Sequence, residues 1–234
     1  MIKIYPAASR YSSDHGWLKT SHSFSFAEYY DPSNMNFGPL RVLNDDFVAP
    51  MRGFGSHPHK EMEIVSIVLD GYLQHTDSSG GTATTTFGEV QRMSAGTGVV
   101  HSEVNPNPEE KVNFLQLWFL PEEKGLVPSY EKTRFNVEKM NNQLLPIVSK
   151  QYASDEISYI HQDLTIYIAD LEADTNLSYL AKEGRKAFLF VIEGELSINE
   201  TYKLDRRDSA RVSDLPKIGL SSVNGARFML IDLP

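Results

Sequence analysis

HPH at 57–59 and HSE at 101–103 place four side chains with nitrogen or oxygen lone pairs in two i, i+2 pairs. On an extended strand, residues i and i+2 project from the same face, roughly 6.6 Å apart at the backbone. His57 and His59 can then aim both imidazoles at one point while Pro58 turns away, and His101 and Glu103 repeat the geometry after a Gly-rich turn. Proline cannot donate to a central ladder, so the first pair belongs at a strand start, an edge or a bulge. If the two strands lie side by side, three imidazoles and one carboxylate converge, a set suited to a divalent transition metal. An ion that prefers five or six ligands would keep positions free for water, dioxygen or a chelating substrate. An isolated H-x-H arises often by chance, and H-x-E is a weaker signal still. The two together, each beside glycines in a β-rich half, bring the metal reading level with the chance one.

The 234-residue chain has no cysteine, which excludes disulfides, iron–sulfur clusters, cysteine zinc sites and thiol nucleophiles. Any metal must be held by His, Asp, Glu or water. A net charge of −9, with no Lys/Arg-rich run, argues against a nucleic-acid partner. Hydrophobic content of 41% and charged content of 23% are those of an ordinary globular chain with a sizeable core. The N-terminal stretch lacks the apolar core of a signal peptide, and no apolar run approaches the ~18 residues of a membrane span. A cytoplasmic protein is expected.

The elements that must position these residues read as strands. EIVSIVL (63–69), VNFLQLWFL (112–120), LTIYIADL (164–171), AFLFVIEG (187–194) and ARFMLIDL (226–233) are short apolar runs between Gly, Asn, Asp, Pro and Ser. EKMNNQLL (138–145) is the one helix candidate. Many short strands predict a mainly β fold, sandwich or barrel. IVLDGYLQH (67–75) and FVIEGELSI (190–198) form a weak internal repeat about half the chain apart, each a strand, a turn at Gly71 or Gly194, and a strand. The stretch LPEEKGLVPSYEKTRF (120–135) reads as the connection, so two domains are expected, 1–135 and 136–234. The positions that bear to Gly194 the relation His57 and His59 bear to Gly71 are Leu180 and Lys182, so the second domain is expected to lack the metal.

The segment from Gly53 to Gly71, with His57, His59 and Glu63, resembles the first cupin motif, and GEVQRMSAGTGVVHSEVN, with Gly96, Gly98, His101 and Asn105, the second. HGWLKTSHSFSFAEYYDP (15–32), LRVLNDD (40–46), HPHKEMEIV (57–65), MSAGTGVVHSE (93–103) and QLWFLP (116–121) resemble the pirin family across essentially the whole chain, most closely bacterial pirins with quercetin dioxygenase activity. The resemblance implies a bicupin of two jelly-roll-like β-barrels. It implies an iron-type metal in the N-terminal cupin, bound by His57, His59, His101 and Glu103, with Glu63 structural rather than a ligand. Fe(II) is expected, although Ni, Co, Cu, Mn or Zn would also suit these donors. The implied activity is flavonol ring opening on a small aromatic chelating substrate with dioxygen, Glu103 acting as general base. The alternative is a metal-dependent regulatory protein with a protein partner and incidental flavonol activity. A monomer is expected.

The remaining histidines have plainer readings. His15 and His22 are expected to anchor the N-terminal segment, or else to line the pocket mouth; His75 and His161 are expected to be surface or packing residues. Trp17, Phe24, Phe26, Tyr29 and Tyr30 would serve as core or lid, or as an apolar pocket for a flat aromatic ligand.

Overall fold

A computed structural model describes residues 1–234, and the chain is built almost wholly of antiparallel strands. The apolar runs form strands over Glu63–Asp70, Val112–Phe119, Thr165–Leu171, Lys186–Gly194 and Ala226–Leu233. Their β-branched and aromatic residues pack across the pleat and are buried on both faces along most of their length. Gly71 and Gly194, at φ +83° and +77°, make the left-handed turn after the strand in each half.

The expected helix at 138–145 does not form. A single 3-10 turn spans Val137–Met140, capped by the Asn136 side chain, which accepts from Glu138 N–H. Asn142 then takes φ +55°, a left-handed conformation that no α-helix continues, and Leu145–Ser149 is a strand.

The chain divides into two compact units, both cupin-type. The first comprises residues 11–135 and 153–162; the second comprises 1–10, 136–152 and 163–234. A single cut in the sequence does not describe them. Ile2–Tyr5 pairs with Ser209–Ser213 of the second unit. Residues 153–162 are tied into the first: Ser158 Oγ meets Thr133 Oγ1 at 2.7 Å, Tyr159 N–H donates to Glu131, and Glu122 N–H to the His161 carbonyl.

In the first unit a seven-stranded sheet runs in the order Ser129–Arg134, Glu89–Ser94, Glu63–Asp70, Val112–Phe119, Leu40–Val48, Leu18–His22, Tyr11–Asp14. A four-stranded sheet runs Gly53–His59, Val99–Val104, Leu73–Asp77, Thr82–Thr85. The second unit repeats the plan with six and four strands around an apolar core that includes Leu189, Val191, Leu196, Phe228 and Leu230. No helix is long and apolar enough to cross a membrane.

Candidate metal centre

HPH and HSE lie on neighbouring strands of the four-stranded sheet, with His57 directly opposite His101. The register slips between His101 and Glu103, so that Glu103 pairs with Phe54 and the extra residue sits in the Gly55–Ser56 stretch. Such a bulge bends its strand and re-aims its side chains. Gly53 permits the close approach: a Cβ there would run into the Glu103 carbonyl and Val104.

Two overlapping groups of ligand atoms result, each within 4.8 Å: His57, His59 and His101, and His75, His101 and Glu103. His101 belongs to both. Glu103 therefore falls in the group with His101 and His75, and the two histidines of HPH in the other group with His101. The imidazole rings are crowded together, centroids 4.5 Å apart and tilted for His57 and His101, 4.8 Å apart and edge-on for His59 and His101.

The hydrogen-bond partners assign the tautomers. His57 Nδ1 lies 2.7 Å from the Gly55 carbonyl, so it carries the proton and leaves Nε2 with the lone pair. His75 Nε2 donates to Asp77 Oδ2 at 2.9 Å, which leaves His75 Nδ1 as an acceptor. His101 Nδ1 lies 3.3 Å from that nitrogen and donates to it, so its lone pair is also on Nε2. Asp77 is itself fixed by Ser79 N–H and the Ser79 hydroxyl. The two free lone pairs, His57 Nε2 and His101 Nε2, face each other at 3.1 Å. Neither has a proton to give the other, and an electrophile between them resolves the conflict. Burial, reinforced by the neighbouring imidazoles, pushes His59 down to about 4 and His101 down to about 3, so both are neutral donors at ordinary pH. The donor set fits a transition metal.

Glu103 is almost wholly buried. Its Oε1 accepts from Ser66 Oγ at 2.9 Å and Gln91 Nε2 at 2.6 Å, and Oε2 from Gln116 Nε2 at 2.5 Å. Burial raises its pKa, and the hydrogen bonds from Ser66 and Gln116 oppose that rise. Oε2, with one protein donor among these, keeps a lone pair for a metal or a proton.

Trp118 stands edge-on to His59, centroids 4.7 Å apart, and Phe26 edge-on to Trp118 at 5.2 Å. Glu63 lies outside both ligand groups, fully buried, with His161 N–H donating to its Oε2. His22 is buried against Tyr11 and Phe26, while His15 contacts Ser13 Oγ; both line one cavity. Among the N-terminal aromatics, Phe24 is core, Trp17 packs on Phe54, Tyr29 stacks on Tyr11, and Tyr30 is 73% exposed and so no part of a core. His75 is 1% exposed and stacked on Tyr130 at 4.3 Å, which makes it an integral neighbour of the centre rather than a surface residue. It had a signal: HTD at 75–77 is a third i, i+2 pair. Ser66 and Gln116 had one too, each being the lone polar residue inside an otherwise apolar strand core.

The pirin family profile matches residues 5–119, and that of the quercetinase C-terminal cupin domain residues 146–233. The quercetin 2,3-dioxygenase of Escherichia coli K12 is 38% identical over 234 residues, 100% of this chain and 99% of that one. A pirin-like protein of Caulobacter vibrioides is 37% identical, with 99% of each chain covered. The crystal structure of the Escherichia coli bacterial pirin YhhW in complex with nickel(II) superposes with a TM-score of 0.94 at 39% identity, over 100% of this chain and 99% of that one. Identity at this level along the entire length, on the same two-barrel frame, means that this chain belongs to the pirin family.

Proposed function

We propose that this protein is an oxidoreductase that opens the ring of a flavonol such as quercetin with dioxygen, at one Fe(II) held by His57, His59, His101 and Glu103. The observation that carries this reading is the pair of opposed lone pairs on His57 and His101, 3.1 Å apart, each fixed by what its other nitrogen donates to. The relatives support the chemistry: one is a quercetin 2,3-dioxygenase, and a solved bacterial pirin holds nickel(II).

When bound, the metal supplies Lewis acidity that lowers the pKa of a coordinated hydroxyl, and free positions for a chelating pair of oxygens. The chain does the rest. A divalent ion held with one carboxylate would leave the site with net positive charge, which favours a flavonolate anion. Glu103 Oε2, its basicity raised by burial, would take the proton of the substrate's 3-hydroxyl on the one lone pair left to it, and so only when that lone pair is not given to the metal, while Ser66, Gln91 and Gln116 hold its orientation. Trp118 and Phe26 present apolar edges beside His59 that keep bulk water from the electron-rich anion. Both atoms of dioxygen enter the products, a ring-opened depside and carbon monoxide.

The reading is tested without turnover. Under argon, quercetin added to the Fe(II)-loaded protein should show the long-wavelength band of its 3-deprotonated form, and His57→Ala should abolish it. An unshifted spectrum with protein shown to hold its metal would sink the proposal.

A further inference from the structure

A cavity of about 200 Å³ opens in the first unit. None of His57, His59, His101 or Glu103 lines it. Its walls are partly apolar, with Leu18, Phe26 and Phe54, and an engineered cavity of roughly 150 Å³ already admits a benzene ring. Three buried oxygens belong to the residues on its polar wall: Thr20 Oγ1, Asn44 Oδ1 and Asp46 Oδ1, in residues that are 6%, 4% and 3% exposed. Asn44 Oδ1 lacks a hydrogen-bond partner, and Thr20 and Asp46 have none but each other. Buried polar atoms are satisfied in folded proteins almost without exception, so the orphaned Asn44 oxygen beside a Thr20–Asp46 pair with no further partner points to something that fills the cavity.

The sheet register shows why the cavity belongs to the chemistry. Cα partners run across the seven-stranded sheet in one row: Gln91, Ser66, Gln116, Asn44, His22, Tyr11. Directly opposed residues share a face. The first three members hydrogen-bond Glu103, and the last three line the cavity. Thr20 and Asp46, opposed to each other, lie in a neighbouring row on that same face. One polar stripe thus runs from the proposed base into the cavity, and Phe26 joins the cavity to Trp118 and so to His59.

An amide carbonyl such as that of Asn44 accepts hydrogen bonds and cannot donate them. The missing partner must bring O–H or N–H donors on a body flat enough to lie between Phe26 and Phe54. We propose that this cavity is the subsite for a hydroxylated aromatic ring of the substrate, its phenolic hydroxyls donating to Thr20, Asn44 and Asp46 while the chelating end of the molecule engages the metal. The assignment rests on the flavonol reading above and adds to it a preference for ring-hydroxylated flavonols over bare ones.

The test compares two probes under argon with the metal-loaded protein. Quercetin carries ring hydroxyls; 3-hydroxyflavone carries the chelating pair alone. Wild-type protein should bind quercetin more tightly. Thr20→Val and Asn44→Ala should each weaken quercetin about tenfold, the worth of one good hydrogen bond, and leave 3-hydroxyflavone unmoved. Melting curves of both variants check that each holds the fold, so that the loss is read as binding. If wild type binds both probes and the variants change neither, water alone fills the cavity and this inference falls while the flavonol reading stands. Equal losses for both probes would overturn it as well, since ring hydroxyls would then play no part. If neither probe binds wild type, the flavonol reading falls and takes the subsite with it.

Discussion

A neutral imidazole has one lone pair to offer, and the partner of its other nitrogen settles which atom carries it. At this centre the choice is relayed: Asp77 fixes His75, and His75 fixes His101. Groups placed behind metal ligands in this way typically contribute 10–100-fold to affinity. His75→Leu, which leaves His101 Nδ1 without an acceptor, is therefore expected to weaken metal binding about tenfold or more in a competition titration. His75→Gln, with a carbonyl to take that proton, should recover part of the loss; equal affinities in wild type and both variants would mean that the relay does nothing. Asp46 gives a second prediction, for stability. Burial, with Asp45 and Glu103 adding like charge, raises its pKa from the usual 3.8 to about 7. The folded state then holds a proton that the unfolded chain releases, so the protein loses stability as pH rises from about 4 through 7. Asp46→Asn should flatten that slope, stabilising the metal-free protein on the order of 3 kcal/mol at pH 8 and little at pH 4, as read from denaturant melts. A variant with the wild-type slope would contradict the assignment.

At the scale of the elements, the work is done by the pairing of Gly53–His59 with Val99–Val104 and the slip within it. Gly53→Ala forces a Cβ into the Glu103 carbonyl and Val104. The two strands must part, separating His57 from His101, at a cost of about 1–3 kcal/mol in stability and with a clear loss of metal affinity. Unchanged affinity in that variant would show that the close approach is not what sets the ligand geometry. HPH and HSE were legible in the sequence because strand periodicity puts i and i+2 on one face, and the apolar runs were legible as strands for the same reason. The bulge was not, since nothing local says which strand carries the extra residue; only the pairing does. Nor was the row from Gln91 to Tyr11, because its members come from six strands far apart in the chain. Register, a property of the folded sheet, assembles them. EKMNNQLL misled in the other direction: its spacing suits a helix, and the left-handed Asn142 overrides it.

On the whole-molecule scale, the histidines belong to one unit. All seven histidines fall within residues 11–135 and 153–162, His161 included, although it lies far beyond residue 135 in the chain. The interior of the second unit is packed with leucine, valine, isoleucine and phenylalanine. Leu180, at the position matching His57 in the weak repeat, is 71% exposed, and Lys182 offers only an ammonium. One metal per chain is expected by elemental analysis, unchanged in Lys182→Ala, and a lower content in that variant would place an ion in the second unit. The assignment of 1–10 and 153–162 to their units had no sequence signal: short segments carry no periodicity that names the sheet or loop they join. The measurement that bears most directly on the central claim is oxygen uptake with quercetin by the Fe(II)-reconstituted protein beside its His101→Ala variant, with carbon monoxide collected. Uptake matched by carbon monoxide release, and lost in the variant, is the predicted result; negligible uptake by wild-type protein that demonstrably holds its iron would contradict the account.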